Sequence, residues 1–170
     1  MRVKDVVDAM ELLYRAADHP EVVEVSRFGR DTEPGGQSPP GVKLLFRSGT
    51  SALLAASVPP RPAPEAVPLT AELPSPSPRV TRTLALTMRL LDYARPPVFK
   101  SWETCAYPGV HLKPSAVRIN CTDGDVVYLR VTVASGPSRD PEADLYPEYE
   151  IPEGVRAWPP GVSAAPAVPE

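Results

Sequence analysis

The 170-residue sequence predicts an α+β protein. The expected architecture is two copies of a helix–three-strand (αβββ) unit packed with pseudo-twofold symmetry, either as one six-stranded antiparallel sheet with both helices on one face or as two facing half-sheets. Three observations predict it. Residues 42–58 and 117–133 align without a gap at an offset of 75, with Gly49 on Gly124, Leu54 on Leu129 and Val58 on Val133. Each stretch is preceded by an amphipathic helical stripe and then an extended segment. Of the 24 prolines, eight fall within 59–79 and eight within 136–170. Such clusters cannot continue a helix or a central strand, because proline lacks a donor and restricts its predecessor. They divide the chain into a first unit at 1–58, a proline-rich linker at 59–79, a second unit at 80–135 and an acidic, proline-rich tail at 136–170.

Residues 3–17 place Val3, Val6, Val7, Met10, Leu13, Tyr14 and Ala17 on one stripe at three- and four-residue spacing, which reads as an amphipathic helix stopped at Pro20. Val22 to Phe28 reads as a strand, and the Gly- and Pro-rich stretch 29–41 as a flexible connection. In 42–58, Val42, Leu44, Phe46, Ala52, Leu54, Ala56 and Val58 share one face of a hairpin turning near Gly49. Pro59-Pro60-Arg61-Pro62-Ala63-Pro64 should lie near polyproline II and act as a semi-rigid spacer. A second helix is expected over 80–95, with Leu84, Met88 and Leu91 inward and Pro96-Pro97 as the stop. A strand follows from Val98 to Tyr107. In the second hairpin, Val117, Ile119, Cys121, Val127, Leu129, Val131 and Val133 fill the matching face. A lone unit of about 55 residues would bury too little apolar surface to be comfortable, so the two should pack together.

Composition narrows the function classes. The net charge is -3, which argues against a strongly basic nucleic-acid protein. No run approaches 18 apolar residues, so no membrane span or membrane partner is expected. The start, Met-Arg-Val-Lys-Asp, lacks the apolar stretch of a secretory signal, and with only two cysteines the expected location is cytoplasmic. Fourteen Arg against four Lys, with a single Asn and two Ile, point to GC-rich coding and hence a bacterial source.

The residues that could carry chemistry are few. His19 reads as a helix C-terminal residue that favours the dipole. Cys105, His111 and Cys121, with Asp123 and Asp125, lack the closely paired ligands of a compact zinc site, and Cys121 falls on the core face. No metal and no cofactor are expected. A Cys105–His111 nucleophile has no marker of activation. Neither Gly29 nor Gly35-Gly36 stands in a phosphate-loop context. No catalytic residue is assigned, and an enzyme with an unrecognised site at the seam of the two units is kept as an alternative.

Charge distribution is more informative. Residues 80–135 sum to +3 and residues 136–170 to -5. Tyr146, Tyr149, Ile151 and Trp158 stud the acidic tail, which reads as a docking segment, in cis or in trans. Leu45 and Leu53 point away from the expected core, where the second hairpin has Asn120 and Tyr128. Trp102 shares a parity with Val98, and Phe99 takes the other. The sequence therefore points to a non-enzymatic protein-binding module (adaptor, chaperone-like or immunity-type) acting through Leu45, Leu53, Trp102, Tyr128, Tyr146, Tyr149 and Trp158. The alternative is a nucleic-acid accessory role for the basic second unit, through Arg79, Arg82, Arg89, Lys100, Lys113, Arg118 and Arg130. The chain is expected as a monomer with an internal pseudo-dimer or as a homodimer.

Overall fold

In a computed structural model, which describes residues 2–29, 39–69, 76, 78–134 and 140–160, the first amphipathic stripe forms helix α1, Val3–Ala17. The Asp5 carboxylate accepts the Arg2 backbone N–H at 3.0 Å and holds the first turn. Asp18 closes the helix in the left-handed region at φ 45°. The second stripe forms α2, Arg79–Ala94, closed the same way by Arg95 before Pro96. Both helices lie on one face of a seven-stranded antiparallel sheet. Its strands are β1 (Val22–Phe28), β2 (Gly41–Phe46), β3 (Ser51–Ser57), β4 (Glu65–Ala66), β5 (Phe99–Ala106), β6 (Ala116–Cys121) and β7 (Val126–Ala134). Their order across the sheet is β1-β2-β3-β7-β6-β5-β4.

The hairpin registers follow the alternation. Val42 pairs with Leu54 in the first, and Val117 with Leu129 in the second. The central joint is the β3–β7 pairing, running from Ser51 opposite Ala134 to Ser57 opposite Tyr128. Between sheet and helices lies the main core, with Met10, Leu13, Leu44, Leu54, Leu84, Leu90, Leu91, Ile119 and Leu129 essentially inaccessible. Tyr14 hydrogen-bonds Thr87 across the α1–α2 contact. Thr87 gives its own proton to the Thr83 carbonyl at 2.8 Å, so Tyr14 is the donor in that pair.

The sheet differs from a simple three plus three. Glu65–Ala66, inside the proline-rich stretch, adds the edge strand β4 against Ala106 and Cys105. Its length is set by Pro64 and Pro68, which flank it without an N–H to donate. The face of Trp102 also differs from simple alternation. A register shift between Phe99 and Ser101 inserts a bulge, so that buried Phe99 and half-buried Trp102 both pack on the helix side. Trp102 donates its Nε1–H to Asp92 of α2 at 2.6 Å. A second bulge sits at the corresponding place in β1, between Val22 and Glu24. The connection 30–38, residues 135–139 and the terminal 161–170 lie outside the described residues.

Candidate functional site

The chemistry of this chain concentrates where α1 ends, α2 begins and the β2–β3 turn comes round. Pro20 stops α1, and the chain turns sharply, with the Val22 N–H on the His19 carbonyl at 3.0 Å. That turn directs His19 and Glu21 inward, 6% and 7% exposed. Gly49, at φ 88°, makes the tight β2–β3 turn that brings up Ser48 and Thr50. Arg79 and Arg82 project from the first turn of α2, both 3% exposed.

Cations at a helix N-terminus oppose the helix dipole, and the first turn of α2 holds no acidic residue. The compensating carboxylates come from elsewhere in the chain. Arg79 reaches Glu21 Oε1 at 2.9 Å and Asp140 Oδ1 at 2.8 Å, while its guanidinium stacks 3.9 Å above the Phe46 ring. Arg82 lies 3.2 Å from Asp144 Oδ2 and 3.7 Å from Glu21 Oε2. Ser48 donates to Asp140 at 2.6 Å. Buried charges of this kind persist only when paired and hydrogen-bonded.

Three shifted groups record the arrangement. Burial lowers the His19 imidazole below its usual range, and Glu21 offsets this only in part. Its Nδ1 lone pair accepts the Glu21 backbone N–H at 3.1 Å, which requires the neutral ring. At Asp140, burial pushes the carboxyl up, but hydrogen bonds from Arg79 and Ser48 outweigh it and the net direction is down. Asp144 is likewise lowered: burial raises it, and the Tyr146 N–H and Arg82 bring it below the usual value.

Asp140 and Asp144 belong to the acidic tail, and residues 140–160 lie back across the site as a strap. Tyr149 donates its hydroxyl to the Ala17 carbonyl at 2.5 Å, with its ring centroid 4.2 Å from that of His19. Tyr146 meets the same imidazole edge-on at 6.4 Å. Ile151 and Trp158 pack against the main core. A short 3-10 helix, Glu153–Arg156, buries Val155 completely and sets the Arg156 guanidinium 4.4 Å from the Tyr93 ring centroid. Between strap and α2 remains a cavity of about 360 Å³, reached by Phe46, Leu86, Tyr93, Tyr149 and Ile151.

The site residues anticipated from the sequence divide into three places. Tyr146, Tyr149 and Trp158 all lie in the strap, the tyrosines against His19 and Trp158 against the main core. Leu45 and Leu53 stand half-buried on the helix-free face, beside Glu24 and Thr132 respectively. Tyr128 shares that face but is only 2% exposed, in a second small cluster with Cys105 and Ala116. Trp102 is on the opposite face. Cys105 and Cys121 also face opposite sides of the sheet, in different clusters. Among the described residues, no three His, Cys, Asp or Glu are grouped as a metal would need. Burial pushes the Cys105 thiol up to about 11.

Sequence reasoning missed the buried roles of Glu21, Arg79 and Arg82. A signal was present: Arg79, Arg82 and Thr83 continue the same helical stripe as Leu86, Leu90 and Ala94. Charges on a stripe that is otherwise core require buried partners. No family model, curated protein or solved structure matches this chain.

Proposed function

We propose that this chain is a non-enzymatic protein-binding module. Its recognition site is the groove formed by the end of α1, the β2–β3 turn and the first turns of α2. The observation that carries the reading is the strap. An irregular segment with two carboxylates and a tyrosine lies in that groove, held by Arg79, Arg82 and the Ala17 carbonyl. A groove that selects this chemistry in cis is suited to an acidic, tyrosine-bearing segment of another protein in trans. The other reactive groups favour binding over catalysis. The His19 lone pair is engaged by a backbone N–H, and the Cys105 thiol stays protonated at neutral pH. Arg79 and Arg82 are buried in ion pairs, which removes them from any phosphate-binding surface.

We also infer that the two αβββ segments are copies of one unit related by a pseudo-twofold axis between β3 and β7. The shared hairpin register at an offset of 75 and the paired bulges at Val22/Glu24 and Phe99/Ser101 support it. On this reading residues 1–58 and 80–135 are the units, 59–79 is the proline-rich linker, and 136–170 is the acidic, proline-rich tail.

The test is a titration of a fluorescent peptide spanning residues 140–158 into the full chain. A tethered strap competes at millimolar effective concentration, so the wild-type chain should bind the peptide about a hundredfold more weakly than a D140N/D144N chain. The D140N/D144N chain keeps the groove and loosens the strap, and adding Arg82→Gln should abolish the gain. A folded D140N/D144N chain, checked by circular dichroism, that binds no better than wild type would refute the reading.

A further inference from the structure

The cavity of about 360 Å³ beside α2 has the size of a small-molecule site. Its deeper polar groups are already engaged: Glu21 with Arg79, Arg82 with Asp144, and His19 with the Glu21 N–H. Its apolar wall comes from Leu86 and Tyr93 of α2 and from Ile151 of the strap. Two further charged groups line it, Arg89 and Glu150, both exposed. Among the described residues neither side chain makes an ion pair or a hydrogen bond.

From this we infer that the cavity is a binding site for a small apolar molecule carrying a single carboxylate. Arg89 stands on a regular helix and is the fixed charge, and a guanidinium takes a carboxylate in two parallel hydrogen bonds. The apolar body of the ligand then lies against Leu86, Tyr93 and Ile151. Glu150 at the same cavity repels a doubly charged head such as phosphate. It also repels part of the monocarboxylate's charge, so its reversal should tighten binding. The inference is independent of partner capture: it requires the strap in place, because Tyr149 and Ile151 are part of the wall.

The experiment is calorimetric titration of the full chain with indole-3-butyrate and with its neutral amide. Saturable one-to-one binding of the acid is expected, with the amide about tenfold weaker, the worth of a charged hydrogen bond. Arg89→Glu should weaken the acid by at least that factor, and Glu150→Lys should strengthen it severalfold. Both positions are exposed, so neither change threatens the fold. Absence of saturable binding, equal affinity for acid and amide, or an affinity unmoved by both variants would overturn the assignment. Loss of peptide capture alone, with indole-3-butyrate binding intact, would sink the partner reading and leave this one standing.

Discussion

Arg79 ties three separate parts of the chain to the first turn of α2, so its removal is the most direct test of the buried cluster. Arg79→Ala leaves Glu21 and Asp140 as carboxylates with side chains 10% and 11% exposed and their main cation gone. Breaking a buried pair from one side costs about 3–5 kcal/mol. Total stabilities are about 5–15 kcal/mol, so the variant should be severely weakened and its urea midpoint should fall by a large fraction. Asp140→Ala is milder, because Glu21 still neutralises Arg79. The charged hydrogen bond from Arg79 is worth about 1.5–3 kcal/mol, and the half-buried Ser48 hydroxyl loses its acceptor as well, so the cost should lie toward the upper end of that range. The double variant should cost less than the sum of the singles, with a coupling of about 1–3 kcal/mol. The assay is equilibrium urea unfolding of wild type, both singles and the double. A coupling near zero, or an Arg79→Ala cost below about 1 kcal/mol, would show that these contacts behave like surface ion pairs, and the reasoning would fail.

Acidification should destabilise the chain. The His19 pKa is lowered on folding, so below the ordinary histidine value of 6.5 the unfolded chain binds a proton that the folded chain resists, and stability falls as pH drops from there. Asp140 and Asp144 are also lowered on folding. Their contribution is present above the ordinary aspartate value of 3.8 and is lost as pH falls through their depressed folded values. Urea midpoints between pH 8 and 3 should therefore decline in two stages, and His19→Gln should remove the first; a flat profile would contradict both. Cys105 and Cys121 are buried with raised thiols, so iodoacetamide at pH 8 should label neither cysteine in the native chain and both after unfolding, as read by intact mass. A Cβ at Gly41 would lie 2.3 Å from the Leu54 carbonyl oxygen and 2.5 Å from the Phe28 ring, so Gly41→Ala should cost about 1–3 kcal/mol in thermal or urea unfolding. A neutral result there would mean that β1 and β3 yield to each other more readily than close packing allows.

Local pattern was sufficient wherever the cause was local. The stripe from Val3 to Ala17 determined α1, because three- and four-residue spacing admits one apolar helix face. The alternation through Val42, Leu44 and Phe46, with Gly49 at the turn, determined the first hairpin and its register, since a one-residue slip would turn every apolar side chain to solvent. The same held for Val117 to Val133. The spaced aromatics of the acidic stretch were visible in the sequence, and within residues 140–160 Tyr146 and Tyr149 meet His19 while Trp158 packs on the core.

The tertiary structure decided what depends on which distant surfaces meet. Pairing β3 with β7 joins residues far apart in sequence through backbone groups, which are alike in every residue and leave no mark in composition. The bulge at Phe99 reversed the face of Trp102, because one unpaired residue shifts a period of two. Two residues of a proline-rich stretch became an edge strand because β5 offered an unpaired edge beside them. Residues 140–160 lie back on the body through partners that lie apart in the chain. Arg79, Arg82 and Glu21 are ordinary surface residue types taken singly, and burial made them specific. A charge taken out of water must find its opposite, and here Asp140 and Asp144 meet that requirement from more than 50 residues away.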